Sequence, residues 1–206
     1  GCPLSQYLIS SGIKNLLLVD GDTVEKSNLN RQILFNNDDI NKKKVEVAKE
    51  KLNKINPSSK INIFDKNIDS KNIDILLNSK IIVDATDDWK TSKLLNEFCV
   101  KNSINFIFSS VVKHDAQIIF FDNKSKDNHL CLNCIFPNKN DIDLPRCETV
   151  GISGISAGLA GLITAQKIIN FTLSLRKETG LLTISDVKQL NIDNIVVNNN
   201  HNCYLK

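Results

Sequence analysis

The chain has 206 residues, enough to bury one substantial core, and a formal net charge of +3 from 26 basic and 23 acidic residues. The two signs are interspersed, which gives no basic face for nucleic acid. No apolar run approaches the roughly 20 residues that span a bilayer, and no basic-then-apolar leader opens the chain. Six cysteines, two of them as CxxC, suit a reducing compartment better than a disulfide scaffold, so the expected location is cytoplasmic.

In chain order, residues 4 to 11 read as a helix ended by Gly12, and Leu16 to Val19 as a buried parallel strand. A long polar loop follows. Lys42 to Ile55 carries Val45, Ala48, Leu52 and Ile55 at helical spacing and stops at Asn56-Pro57. Ile61 to Phe64 is a short strand, Ile73 to Leu77 a short helix, and Ile81 to Val83 a strand ending at Asp84. A helix is expected from about 88 to 102, then a strand from Asn105 to Val112 and another, antiparallel, from Gln117 to Phe121. Residues 123 to 150 form a polar crossover loop with three of the cysteines. Gly151 to Asn170 is a helix rich in small residues, which lets it pack closely against the sheet or a second subunit. Leu181 to Ile184 and Ile195 to Val197 close the chain as strands. Alternating strands and helices predict one α/β domain, Rossmann-like, with a doubly wound and mostly parallel sheet.

Ligands on such sheets bind beyond the carboxyl ends of the strands, where Asp20, Asp22, Asp84 and Asp87 fall. An acid ending an early strand accepts hydrogen bonds from ribose hydroxyls. Asp20 stands in that place, and the cluster Asn28-Leu29-Asn30-Arg31-Gln32 follows, with Arg31 about a dozen residues after Asp20. Arg31 is one of only three arginines among 23 lysines, and a guanidinium fork matches phosphate oxygens. Acid for ribose and arginine for phosphate suggest ATP rather than a redox dinucleotide.

The segment from Asp20 to Gln32 resembles the ThiF/MoeB/HesA family, the ubiquitin-activating-enzyme-like adenylyltransferases, and the resemblance runs from Gly1 to Cys203. It implies an enzyme that adenylylates the C-terminal glycine carboxylate of a ubiquitin-like sulfur carrier protein with MgATP, releasing pyrophosphate, in thiamine or molybdopterin cofactor synthesis. Gly1-Cys2-Pro3 resembles the end of a glycine-rich loop entering its helix, which implies that a first strand, part of that loop and an arginine-bearing helix lie outside the sequence. By the same resemblance Gly1, Asp20, Asn28, Arg31, Gln32, Lys44 and Asp87 bind the nucleotide, and Asp87 also holds Mg²⁺. Arg31, Asp87 and Cys147 are its catalytic residues, with Cys147 the crossover-loop acceptor of an acyl or sulfur group or else an inert thiol. Lys42 and Lys43 adjoin Lys44 and compete for its role, while Asp84, Asp87 and Asp88 also suit plain helix caps. Asp88 stands where the family has Asn. Gln117 matches a family residue or is an ordinary strand residue, and Cys99 reads as core.

Cys131, Cys134 and Cys203 resemble a structural zinc site that lacks its fourth cysteine, since Lys206 stands there; His129 and His201 are substitutes, and a metal-free site is the alternative. A homodimer is expected, without nucleic acid or membrane. Two other readings compete: a non-catalytic relative kept as a carrier-binding module, and a Rossmann dehydrogenase, which leaves Asn28 to Gln32 and the CxxC unexplained.

Overall fold

The computed structural model of the chain describes residues 1–125, 130–137 and 151–198, with positions 203 and 205. Most of the expected crossover loop therefore lies outside the described residues, as do Cys147, His129, His201 and Lys206. The elements in order are α1 (Cys2–Ser10), β1 (Asn15–Val19), α2 (Lys44–Ile55), β2 (Lys60–Phe64), β3 (Ile81–Asp84), α3 (Trp89–Lys101), β4 (Asn105–Val112), β5 (Asp115–Phe121), α4 (Leu132–Ile135), α5 (Gly154–Thr172), β6 (Leu181–Asp186) and β7 (Asn191–Val196).

Local chemistry sets the boundaries. Pro3 occupies the first turn of α1, where its missing N–H costs nothing, and Gly12 at φ +89° turns the chain after the helix ends. α2 starts two residues later than the apolar spacing suggests, because Lys42 and Lys43 are drawn into a bridge with Thr23 and Val24. Asp88 caps α3: its carboxylate accepts from the Thr91 amide at 3.0 Å and the Thr91 hydroxyl at 2.7 Å. The segment from Ile73 to Leu76 is a 3₁₀ turn rather than a full helix, and β7 begins at Asn191, earlier than its apolar residues suggest.

β1 and β2 pair in parallel, as do β3 and β4. From β4 onward the chain runs as an antiparallel meander, β4-β5-β6-β7, so a doubly wound half grades into an up-and-down half. Helices cover both faces. α3 and α4 pack with Trp89, Phe98, Phe106, Phe108 and Phe121 on one side. On the other, α1 and α5 close over Ile107, Ile118 and Phe120. α2 lies on β1 and β2 around Val24, Phe35, Leu52 and Ile61.

α5 uses its small residues for a close crossing with α1. A Cβ on Gly161 would stand 2.9 Å from the Leu4 backbone nitrogen and 3.0 Å from Pro3 Cβ, so only glycine admits this approach. The other end of α5 is pinned by a buried ion pair, Lys167 Nζ to Glu178 Oε2 at 2.9 Å, with Asn170 donating to the second carboxylate oxygen at 2.6 Å. Such a pair is strongly destabilising when one partner is removed.

Candidate nucleotide site

β1 delivers Asp20 to its carboxyl end, and the next residues fold back on it. Asp20 Oδ1 accepts from the Asp22 amide at 2.9 Å. Desolvation raises the Asp20 pKa, opposed by that hydrogen bond and by nearby Lys44. Lys44, the first residue of α2, is 9% exposed and reaches back with Nζ 2.8 Å from Asp22 Oδ2 and 3.9 Å from Asp20 Oδ2. Its two neighbours do other work: Lys43 Nζ pairs with Asp65 at 3.1 Å and donates to Gly21 O at 3.2 Å, while Lys42 is exposed. Of the three consecutive lysines, Lys44 is the one turned into the cleft.

The loop from Ser27 to Gln32 is a tight coil of backbone bonds, with the Arg31 and Gln32 amides both donating to Asn28 O. Asn28 is buried, and Arg31 Nη1 donates to Ser27 O and Asn30 Oδ1, each at 3.1 Å, which orients the guanidinium. Gln32 Oε1 is buried with no hydrogen-bond partner among the described residues. The N-terminus of α5 locks this loop from outside: a Cβ on Gly154 would collide with Asn30 O. Nothing in the sequence signalled that contact, because the two segments are more than a hundred residues apart.

The three acids after β3 have separate surroundings. Asp84 is buried; Oδ1 accepts from the Thr86 amide and hydroxyl at 2.9 and 2.8 Å, whereas Oδ2 has no hydrogen-bond partner among the described residues. Burial pushes its pKa up, only partly offset by hydrogen bonds from Ser92 and Thr86. Asp88 is the α3 cap. Its pKa lies below the usual range, since hydrogen bonds from Thr91 and Lys90 outweigh its desolvation. Asp87 is exposed, and its carboxylate takes no hydrogen bond or ion pair among the described residues, so it is free to meet a cation.

Gly1, Asp20, Asn28, Arg31, Gln32, Lys44, Asp87 and Gln117 all line one cavity of about 2970 Å³ that runs along β1 and β3 to their carboxyl ends. Every residue expected at the nucleotide site is therefore on one surface. Asp22, which reads in the sequence as a loop-shaping residue, supports Lys44; what sequence reading missed is Asn67, whose Oδ1 accepts from the Gly21 amide at 3.0 Å, and Gly154 under Asn30.

A second cluster lies apart from this cavity. Cys131 Sγ is 3.8 Å from Cys134 Sγ and 3.3 Å from Cys203 Sγ. Thiolates on a tetrahedral zinc at about 2.3 Å stand about 3.8 Å from one another, the separation of Cys131 and Cys134; Cys203 is closer to Cys131, and all three sulfurs lie within 4.8 Å, a cluster that could hold a metal ion. Without one, burial and the neighbouring sulfurs push the Cys131 thiol up to about 12. Cys99, also raised to about 12 by burial, is a core residue as expected. Cys147 falls outside the described residues.

A doubly wound α/β fold with acids, a buried lysine and an oriented arginine gathered at its strand ends defines a domain of the nucleotide-binding type. The chain belongs to the ThiF family, whose model matches residues 1–205. It is 27% identical over 208 residues to the sulfur carrier protein adenylyltransferase of Thermus thermophilus, covering 98% of this chain and 77% of that protein. It is 28% identical over 189 residues to the sulfur carrier protein ThiS adenylyltransferase of Escherichia coli, covering 91% and 74%. Among solved structures it resembles E. coli MccB crystallised with ATP, with a TM-score of 0.83 and 21% identity, over all of this chain and 63% of that one. The chain thus spans under two thirds of the solved chain that it matches. That likeness establishes the fold.

Among the described residues no helix is long and apolar enough to cross a membrane.

Proposed function

We propose that this protein adenylylates the C-terminal glycine carboxylate of a ubiquitin-like sulfur carrier, consuming ATP and releasing pyrophosphate, in thiamine or molybdopterin cofactor synthesis. The observation that carries the reading is the single cavity onto which Asp20, Asn28, Arg31, Gln32, Lys44 and Asp87 open. The names borne by its relatives, sulfur carrier protein adenylyltransferases, give the substrate class.

In this reading the carrier carboxylate attacks the α-phosphorus, a P–O bond forms, and the bond from that phosphorus to the β-phosphate bridging oxygen breaks. The electron pair leaves with pyrophosphate, and no proton need move. Catalysis is positioning and neutralisation of phosphate charge. Asp20 accepts from the ribose hydroxyls at the end of β1. Arg31, whose fork is already oriented by Ser27 and Asn30, clamps phosphate oxygens bidentately. Lys44 contributes a second positive charge, and Asn28 and the unpartnered Gln32 Oε1 shape the loop and meet the nucleotide or its bound water. Asp87 would hold Mg²⁺, an ion that one or two protein carboxylates suffice to bind and that would supply neutralisation of phosphate charge. Cys131, Cys134 and Cys203 would hold a structural zinc, which ties the C-terminal end of the chain to α4. Cys147 as an acceptor thiol, the homodimer, the single-domain organisation and a cytoplasmic location complete the proposal.

ATP–pyrophosphate exchange with the thiamine and molybdopterin carriers supplied separately tests it. Exchange with one carrier, lost in Arg31→Ala, is expected and selects the pathway. Folded protein that binds ATP without exchange on either carrier would overturn the enzymatic reading and favour a non-catalytic carrier-binding module.

A further inference from the structure

Gly21, the residue after Asp20, is tethered at both its amide and its carbonyl. β1 and β2 pair from Asn15 and Lys60 to Val19 and Phe64, and the Asp20 amide closes that ladder on Phe64 O at 3.2 Å. Beyond this rung the Gly21 amide takes no backbone carbonyl among the described residues. It donates instead to Asn67 Oδ1 at 3.0 Å, a side chain 46 residues further on. The Gly21 carbonyl accepts from Lys43 Nζ at 3.2 Å. A Cβ on Gly21 would stand 2.9 Å from the Asn67 backbone nitrogen and 3.0 Å from Oδ1, so any other residue would push the two segments apart.

Asn67 is itself held in place. Asn72 Nδ2 donates to Asn67 O at 2.9 Å, and Asn72 Oδ1 accepts from the Asp69 amide at 3.0 Å. Asp69 Oδ1 in turn accepts from the Lys71 and Asn72 amides at 2.8 and 3.1 Å. The loop after β2 is therefore braced by its own short polar side chains, which bond readily to nearby backbone. What this brace holds is the turn that carries Asp20 and Asp22. Asp20 Oδ1 is occupied by the Asp22 amide at 2.9 Å, so Oδ2, 3.9 Å from Lys44 Nζ, is the oxygen left for a ligand. Asn67, Asp20, Gly21 and Asp22 all line the cavity.

We propose that Asn67 is a positioning residue for ribose recognition: by holding the Gly21 amide it fixes the turn after β1 so that Asp20 Oδ2 meets the ribose hydroxyls of ATP. The inference rests on the nucleotide reading above and deepens it. Asn67 acts on the protein through its Oδ1 acceptor, and Asp20 is the group that touches the ligand. Pivoting of the turn about Gly21 is the motion that Asn67 and Lys43 together prevent. Without Asn67 the Gly21 amide is left to water, and Lys43 alone restrains the turn. An acceptor that must be ordered on binding contributes less than one already aimed, so the ribose contact weakens while the phosphate contacts of Arg31 are untouched.

Titration calorimetry with ATP and with 2′,3′-dideoxyATP, which lacks both ribose hydroxyls, tests it on the wild type, Asn67→Ala and Asn67→Asp. The wild type is expected to prefer ATP by about tenfold or more, the ordinary gain from hydrogen bonds to a charged acceptor. In Asn67→Ala that preference should fall to about twofold, with dideoxyATP bound as tightly as by the wild type. Asn67→Asp keeps an acceptor for the Gly21 amide and should keep the preference. The contact is exposed, so both variants should melt close to the wild type; Gly21→Ala breaks the same contact from the other side and replaces a variant that fails to fold. Equal weakening of both nucleotides in Asn67→Ala, or an unchanged preference, would overturn the proposal and leave the nucleotide reading standing. So would loss of the preference in Asn67→Asp, which would make Asn67 Nδ2 a direct contact of the nucleotide. A wild type that binds both nucleotides equally would remove the ribose role of Asp20 and this inference with it. One that binds neither would sink the nucleotide reading itself.

Discussion

Lys44 Nζ and Asp22 Oδ2 lie 2.8 Å apart across the mouth of the cavity, joining the first residue of α2 to the turn after β1. The lysine is almost buried and the aspartate more than half exposed, so the pair fixes the direction of the ammonium more than it stabilises the fold. Lys44→Ala is expected to lower exchange by about 10²–10³-fold, the usual loss when one preorganised donor is removed. Asp22→Asn keeps the charge of Lys44 but frees its aim, and should cost about tenfold in kcat/KM for ATP, on the order of 1.4 kcal/mol. Steady-state kinetics on both variants decide the matter. Equal losses would make Asp22 a ligand of the nucleotide or its metal rather than a positioning residue.

Asp87 and Asp88 are adjacent and do different things. Asp88 holds the first turn of α3 through Thr91, so Asp88→Ala should cost about 1 kcal/mol of stability, seen as a lower urea midpoint. Asp87 is exposed and unpartnered among the described residues, and Asp87→Asn should leave that midpoint within about 0.5 kcal/mol. Its effect belongs in catalysis: the Mg²⁺ concentration for half-maximal exchange should rise by about tenfold or more. A destabilised Asp87→Asn with an unchanged Mg²⁺ requirement would return Asp87 to the role of helix cap.

These two residues show what was legible in the sequence. The strands, the helices and the set of acids at strand ends followed from apolar periodicity and turn signals, because those act over a few residues. The split between Asp87 and Asp88 did not, since both suit the start of a helix and only the direction of the backbone after β3 decides which one caps it. The choice among Lys42, Lys43 and Lys44 likewise depended on the Thr23–Lys43 bridge, a contact made across the loop. The antiparallel meander after β4 was only partly visible: Gln117 to Phe121 reads as a returning strand, but the start of β7 at Asn191 is polar and gains its place from pairing with β6.

Asp84 gives the fold a pH dependence. Burial raises its pKa, its hydrogen bonds offset this only in part, and Oδ2 has no hydrogen-bond partner among the described residues. The folded state therefore holds its proton at a pH where the unfolded chain has lost it. The associated stability is fully present below the ordinary aspartate range and is lost as pH rises through the raised folded value. Asp84→Asn cannot ionise and escapes that loss. The urea midpoint of Asp84→Asn minus that of the wild type should increase from acid toward neutral pH and then level off. A difference that is flat with pH would show that Asp84 is not the group responsible.

Gly158 and Gly161 stand in the same helix, one turn apart, and should respond to alanine with opposite signs. In a helix interior glycine is about 1 kcal/mol worse than alanine, so with free space the substitution stabilises. Gly158 has that space, since a Cβ there meets nothing within 4 Å, and Gly158→Ala should raise the melting temperature. At Gly161 the new methyl would press on the Leu4 backbone and on Pro3, neither of which can swing aside as a flexible side chain would. Overpacking of this kind costs about 1–3 kcal/mol, more than the propensity gain, so Gly161→Ala should destabilise and force α1 away from α5. Because α1 begins at Gly1 on the wall of the cavity, that displacement should also weaken ATP binding, whereas Gly158→Ala should leave it unchanged. Calorimetric unfolding and ATP titration of the two variants measure both effects. Stabilisation by Gly161→Ala would mean that the two helices are not held at the separation described above.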